Sequence, residues 1–420
     1  PISDGAQVVA PRDKGIITEV NAVTDFGMIK RMDRAEAEAK KLFTLIGEEV
    51  DEAFDRNVQA SLMNHEMIQR MGDKLNIVYT PLHGSGNMPV RRNLEKAGFK
   101  NVFIVKEQEM PDSSFSTVDY PNPEDVKVFV MAQELAAKVD ADVLIGTDPD
   151  ADRVGAMVKD DKGEFVALTG NHVGALATEY ILSQRKAQGK LPANGAVIKT
   201  IVSTEMITPI CEAYGVEKMD VLTGFKFIGE KIKGFEETGS HQYLYGFEES
   251  YGCLGGTYAR DKDAVYAAVL ICEMAAYYKE KGMTLYEALL ALYEKYGYFR
   301  EGVKSLTMKG LEGMERIALI MKTFRENTPA ALGGFKVVVA KDYKTQVFKN
   351  LVTGEESGSP LPVSDVLHYT LEDGTWVCIR PSGTEPKLKF YIGVKADSLQ
   401  AAEDKVAVLD KDIDAKSAAI

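Results

Sequence analysis

The sequence predicts an α/β protein in which two consecutive α/β domains are followed by a small α+β C-terminal domain. Three observations predict this. Short apolar runs and helical stretches alternate from Leu75 to Leu168; the alternation returns from Thr169 to Tyr296; beyond about Arg300 strand-like runs crowd together as in an antiparallel sheet. A chain of 420 residues holds this comfortably at roughly 150 residues per domain. The expected boundaries are a tail at 1–30, α/β domains at 31–166 and 167–300, and the α+β domain at 301–420.

In chain order, Gly5–Pro11 is a short strand-like run, too little for a domain. From Met28 to about Lys74, Leu42, Leu45, Ile46 and Val50 recur at helical spacing and predict one or two helices. Leu75–Thr80 reads as a buried strand, Pro81–Gly86 as a turn into a helix near Val90–Gly98, and Val102–Val105 as a second strand. A loop containing Tyr120-Pro121-Asn122-Pro123-Glu124 precedes a helix to about Val139 and a strand at Asp142–Ile145. This β-α-β-α-β order implies a mainly parallel, right-handed unit. Val154–Val158 and Glu164–Leu168 close it as a hairpin turning at Asp161-Lys162-Gly163.

The second unit is expected to run helix 171–185, strand Ala196–Thr200, helix Glu205–Tyr214, strand Val216–Val221, helix Phe225–Lys233 and strand Gln242–Tyr245. Helices near Lys262–Lys281 and Thr284–Tyr296 complete it, and the repeated order implies duplication of one architecture. In the last domain the readable elements are strands at Val337–Ala340, Trp376–Arg380 and Lys387–Val394, a Gly/Ser/Glu-rich loop at Thr353–Ser359, and a helix after Ser398.

Composition narrows the function. A formal charge of −13 and a pI near 5.1 argue against nucleic acid as a standing partner, so an anionic substrate must be drawn by local basic groups. Cys211, Cys253, Cys272 and Cys378 are far apart with no paired spacing, which points to a reduced compartment and not to disulfides or zinc. No signal peptide or long apolar span occurs, so a soluble, cytoplasmic protein with no membrane partner is expected.

The chemistry concentrates in three loops. Gly146-Thr147-Asp148-Pro149-Asp150-Ala151-Asp152-Arg153 follows a buried strand, so three carboxylates sit at a strand's C-terminal end, where open α/β sheets hold ligands. Their mutual repulsion calls for a hard cation such as Mg²⁺. A helix-loop-helix calcium site would need Gly and Glu where Arg153 and Lys159 stand, and a phosphoaspartate motif would need a Thr that neither frame supplies. The plainer reading is an acidic turn.

Gly246-Phe247-Glu248-Glu249-Ser250-Tyr251-Gly252 is a second polar loop after a strand. In Arg380-Pro381-Ser382-Gly383-Thr384-Glu385-Pro386-Lys387, two hydroxyls around a glycine, flanked by Arg380, Lys387 and Lys389, fit a phosphate cradle; a basic hairpin turn is the alternative. His83, in a Gly-rich turn, is either a cleft residue or a structural loop histidine, and Glu249 either binds or orients its neighbours. His65, His172, His241 and His368 fit no ligand spacing.

Taken in this order and at these separations, the three motifs resemble the metal-, sugar- and phosphate-binding loops of the α-D-phosphohexomutases, the phosphoglucomutase/phosphomannomutase family. Pro121–Glu124 and Thr223-Gly224-Phe225-Lys226-Phe227-Ile228 join the match. The resemblance implies a phosphohexomutase that interconverts hexose 1-phosphate and hexose 6-phosphate through an enzyme phosphoserine and a sugar bisphosphate intermediate. It implies that Asp148, Asp150 and Asp152 hold one Mg²⁺ and that Arg153 meets the phosphate. Glu248 and Ser250 would grip sugar hydroxyls, and Arg380, Ser382, Gly383 and Thr384 the non-reacting phosphate. Lys226 would reach the reacting centre for proton transfer or phosphate binding, a solvated helix lysine being its other reading.

The family's donor serine lies in a loop resembling Thr-Ala-Ser-His-Asn-Pro, a string this sequence lacks. The resemblance therefore makes the tail a remnant of an N-terminal phosphoserine domain, and this chain alone inactive. Small-molecule sugar phosphates are the expected partners, with glucose phosphate favoured by the Thr-Pro-Leu-His-Gly-Ser-Gly and Thr-Gly-Phe-Lys-Phe variants. A non-catalytic sugar-phosphate binding or regulatory protein, and a phosphomannomutase or phosphopentomutase, are the other readings. Hinge motion is expected near Tyr296–Gly302.

Overall fold

The computed structural model describes residues 5–8, 11–308, 310–382 and 386–420. Helices α1 (Arg12–Ala22), α2 (Arg34–Ala39), α3 (Glu48–Ala60) and α4 (His65–Met71) precede the first sheet. That unit runs β1 (Asn76–Thr80), α5 (Asn87–Ala97), β2 (Asn101–Ile104), α6 (Val130–Val139), β3 (Val143–Thr147), β4 (Val154–Lys159) and β5 (Phe165–Leu168). Its strands lie in the order β2-β1-β3-β4-β5, the first three parallel and the last two antiparallel.

The second unit repeats the plan. It contains α7 (Gly170–Ala187), β6 (Gly195–Thr200), α8 (Ile207–Tyr214), β7 (Glu217–Val221), α9 (Phe225–Thr238), β8 (Gln242–Phe247), β9 (Cys253–Leu254), α10 (Ala264–Glu280) and α11 (Leu285–Tyr296). Its sheet, β7-β6-β8-β9, has three parallel strands and one antiparallel edge, matching β2-β1-β3-β4 strand for strand.

The third unit is an antiparallel sheet backed by helices. It runs β10 (Tyr298–Thr307), α12 (Gly310–Glu326), β11 (Ala331–Leu332), β12 (Phe335–Asp342), β13 (Val347–Asn350), β14 (Glu356–Gly358), β15 (Leu367–Leu371), β16 (Trp376–Pro381), β17 (Lys387–Ala396) and α13 (Leu399–Ala418). The sheet order is β10-β17-β16-β15-β12-β13-β14. The architecture is thus two α/β units followed by an α+β unit.

Local chemistry explains the key elements. β3 is buried along its length, as a central strand of apolar residues must be. Asp140, in the left-handed conformation, ends α6 directly before it. The Asp263 carboxylate accepts the N–H groups of Val265 and Tyr266 and so starts α10. Every residue of α10 from Ala264 to Ala276 is buried, because the helix packs between the first two units: Ile77, Val143 and Val158 share one apolar core with Leu176, Val197 and Leu244. The third unit has its own core between sheet and helices, around Ile320, Phe390 and Leu409.

Several expectations are corrected. Residues 5–8 are in no strand, Val9 and Ala10 lie outside the described residues, and α1, which buries no residue, follows. Between Met28 and Lys74 there are three α-helices. Leu42, Leu45 and Ile46 fall between α2 and α3, where Lys41 takes a left-handed φ of 57° and stops the helical run. The Thr353–Ser359 loop contains the edge strand β14. Within the expected hinge, Tyr298–Gly302 is the start of β10, paired with β17 of the same unit, so Gly297 alone joins α11 to the third sheet. The sequence pattern predicts no element at β9, β10, α12, β11, β13 or β15.

Candidate active site

The duplicated sheets set the site. The Asp148–Arg153 turn joins β3 to the antiparallel β4, and the Glu248–Gly252 turn joins β8 to β9 at the equivalent place of the second sheet. The third loop joins β16 to β17.

In the first loop, carboxylate oxygens of Asp148, Asp150 and Asp152 lie within 4.8 Å of one another. Asp148 is buried, and its Oδ1 accepts the N–H groups of Asp152 and Arg153 at 3.1 and 2.9 Å. Burial first, and the Asp152 charge with it, push the Asp148 carboxyl up to about 6, against the N–H and charge of Arg153. The Arg153 guanidinium turns back onto the loop, 2.8 Å from Asp148 Oδ2, 3.5 Å from Asp152 Oδ1 and 3.3 Å from Glu124 Oε1. Three hard oxygen donors so close fit a divalent cation of the Mg²⁺ class.

The β1–α5 turn braces this loop. The Ser85 N–H and hydroxyl both donate to the Pro149 carbonyl, at 2.8 and 3.0 Å. A Cβ on Gly84 would lie 2.5 Å from Pro149 Cα, so only glycine allows the approach. His83 faces the other way: Nδ1–H donates to the Met110 carbonyl and Nε2 pairs with Thr117 Oγ1, both at 2.8 Å. It braces the loop at 110–117.

In the second loop, Glu248 is buried and accepts the Gly224 N–H at 2.8 Å. Burial, then the neighbouring Glu249 charge, raise its carboxyl to about 7. Ser250 is half-buried at the turn. The Val154 N–H donates to the Tyr251 carbonyl at 3.1 Å, so the two loops are tied directly. Lys226 is exposed at the start of α9; among the described residues its ammonium has no ion pair and sits 5.2 Å from the Phe227 ring centre.

The third loop is described on its flanks. Arg380 pairs with Lys389 across β16 and β17, and the Ser382 N–H donates to the Lys387 carbonyl at 2.8 Å. Gly383 and Thr384 lie outside the described residues.

The structure adds Lys262, which sequence reading placed only at a helix start. Its Nζ is 3.0 Å from Asp152 Oδ2 and 2.8 Å from Asp261 Oδ1. Burial works against its charge, yet Asp261 and Asp152 hold its pKa above the ordinary lysine value. Its stem crosses Gly252, where a Cβ would come within 2.1 Å of Lys262 Cδ. The available signal was Asp261-Lys262-Asp263, a cation between two acids at a helix start.

Three family models match in chain order. They are the phosphoglucomutase/phosphomannomutase alpha/beta/alpha domain II at residues 54–163, alpha/beta/alpha domain III at 169–296, and C-terminal domain at 329–411. A phosphoglucomutase of Staphylococcus aureus (strain bovine RF122 / ET3-1) is 37% identical over 359 residues, covering 84% of this chain and 63% of the relative. One from Staphylococcus epidermidis is 35% identical over 370 residues, covering 88% and 65%. The chain therefore spans less than two thirds of these relatives' length.

Among solved structures, the open form of the Paramecium phosphoprotein pp63/parafusin, a phosphoglucomutase, superposes with a TM-score of 0.58 at 16% identity, covering 87% of this chain and 61% of that one. An Aspergillus fumigatus N-acetylphosphoglucosamine mutase, in complex with GlcNAc-6P and magnesium, gives 0.51 at 14% identity, covering 90% and 68%.

Proposed function

This chain belongs to the phosphoglucomutase/phosphomannomutase family, and from that premise we propose that it supplies the metal, sugar and phosphate grips of a phosphohexomutase, with glucose phosphate as the leading substrate. One observation carries the reading: the carboxylate loop and the Glu248 loop are joined by the Val154–Tyr251 hydrogen bond and abut Lys262, so metal and sugar groups are held together.

In this reading Asp148, Asp150 and Asp152 hold Mg²⁺, which when bound would neutralise charge on the transferring phosphoryl group. Arg153 and Lys262 offer cations to phosphate oxygens beside the carboxylates. Glu248 accepts from a sugar hydroxyl and Ser250 donates or accepts. Lys226, whose ammonium has no ion pair among the described residues, binds phosphate or carries a proton. Arg380, Ser382, Gly383 and Thr384 hold the non-reacting phosphate, so that a sugar bisphosphate can be gripped in either direction. The sequence contains no string resembling Thr-Ala-Ser-His-Asn-Pro, and in this reading the chain binds the substrate without completing the cycle by itself.

Calorimetry with Mg²⁺ and glucose 1-phosphate, mannose 1-phosphate or ribose 1-phosphate tests this. Binding is expected for all hexose phosphates and tightest for glucose 1-phosphate. No binding of glucose 1-phosphate would sink the choice of substrate, and steady turnover by the purified chain would sink the claim that it cannot act alone.

A further inference from the structure

Glu249 lies between the two sugar-gripping residues of its loop but points away from them. Its Oε2 accepts the Thr200 hydroxyl at 2.9 Å and lies 3.5 Å from the Ser203 hydroxyl, and these two hydroxyls are 2.8 Å apart. Its backbone is seated equally firmly: a Cβ on Gly170 would come within 2.2 Å of the Glu249 carbonyl oxygen. Glu249 is therefore fixed from both sides, with its charge directed into the turn after β6.

That turn, Lys199–Glu205, is a compact connector. The buried Lys199 ammonium donates to the carbonyls of Thr200 and Ser203, each at 3.3 Å, and pairs with Glu205 at 2.9 Å and Asp220 at 3.0 Å. The Thr204 N–H donates to Asn171 at 2.9 Å. With its backbone held in this way, the turn presents Ile201 and Val202 outward. Both are buried against Tyr343, Trp376 and Tyr391 of the third unit. Burial raises the Glu249 carboxyl, and the positive charges of Arg380 and Lys389, carried by the same unit, oppose that rise.

We propose that Glu249 is a positioning residue which, through Thr200 and Ser203, locks the sugar loop to the turn on which the C-terminal unit is docked. The grip on the sugar and the placement of the phosphate loop are then set together. The unused acid of the Glu248-Glu249-Ser250 run thereby gains a role distinct from sugar binding. The first unit supports the analogy, since its β1–α5 turn braces the metal loop through Ser85 as the β6–α8 turn braces the sugar loop through Thr200.

This inference rests on the hexose-phosphate reading above. It is tested on the whole chain with glucose 1-phosphate, following binding heat and the emission of Trp376, the single tryptophan, which lies in the cluster that the turn enters. Native chain is expected to bind with a change in Trp376 emission. Glu249→Gln and Thr200→Val are each expected to bind about tenfold more weakly, as loss of one charge-assisted hydrogen bond implies, and to lose the emission response. The double variant should be no weaker than either single one, and Thr200→Ser should restore both readouts.

Native-like binding and emission in the variants, effects that add in the double variant, or failure of Thr200→Ser to rescue would overturn the role of Glu249 while leaving hexose-phosphate binding intact. A folded native chain that binds no glucose 1-phosphate would overturn both.

Discussion

Lys199 shows how much a single residue's meaning depends on its partners. In the sequence it is one of 50 basic residues; in the fold it is wholly buried between Glu205 and Asp220. The two acids outweigh burial and keep it charged. Lys199→Met would leave Glu205 and Asp220, each about a third exposed, with Lys218 as their ion-pair partner among the described residues, and should cost about 1–3 kcal/mol, measurable by urea unfolding. Asp150→Asn should leave the fold intact, since Asp150 is exposed and its carboxylate makes no hydrogen bond or ion pair among the described residues, yet weaken Mg²⁺ binding on the order of tenfold or more in a calorimetric titration. Residue chemistry is legible where it is local: three alternating carboxylates on one turn mark a candidate cation site by their repulsion alone. It was not legible where a side chain acts across the fold. Nothing near Lys262 or Glu249 in sequence names Asp152 or Thr200 as partners, and the orientation of Arg153 onto Asp148 depends on a turn geometry that spacing leaves free.

Elements were legible in proportion to their apolar pattern. β1, β3 and β6 are nearly continuous apolar runs buried on both faces, and their positions are readable to within a residue or two. β10 was missed because only Phe299 among its ten residues is buried, and Arg300, Glu301 and Lys304 obscure the alternation. Its strand character comes from pairing with β17, a tertiary cause. The tight β1–α5 turn yields a prediction at this scale. Gly84→Ala would drive a methyl group into backbone atoms of Pro149 and Asp148 that cannot rotate away. It should destabilise the chain by about 1–3 kcal/mol and also weaken Mg²⁺ binding, because the displaced segment carries the carboxylates. Thermal melts and metal titrations on the same sample check both parts; an unchanged metal affinity would separate the brace from the site.

At the scale of the molecule, buried ionisable groups make stability depend on pH in opposing ways. Glu273 of α10 accepts the N–H groups of Met63 and Asn64 and the Tyr180 hydroxyl, and burial raises its carboxyl to about 7. A raised carboxyl favours the protonated fold, so stability from this group declines as pH climbs from about 4.5 toward 7. Glu301, half-buried in β10 and raised to about 7 mainly by loss of water around its carboxyl, acts in the same sense. His172 and His368, held neutral by burial with pKa values near 3, act oppositely and lose stability as pH falls below 6.5. Glu273→Gln isolates one contribution: its stability relative to the native chain should rise between pH 5 and pH 8 by roughly 2–3 kcal/mol, read from urea midpoints. A flat difference would place the ionisation of Glu273 outside this range.

The position of α10 has a consequence for ancestry. A helix encoded after the second sheet supplies the wall of the first, so neither α/β unit owns a complete interior. Although the two look like copies of one module, each would expose part of the common core if the other were removed, so they are expected to travel as a pair. A gene break anywhere between residues 168 and 264 would divide that shared core, whereas the C-terminal unit keeps a core of its own beside the cluster it shares with the second unit.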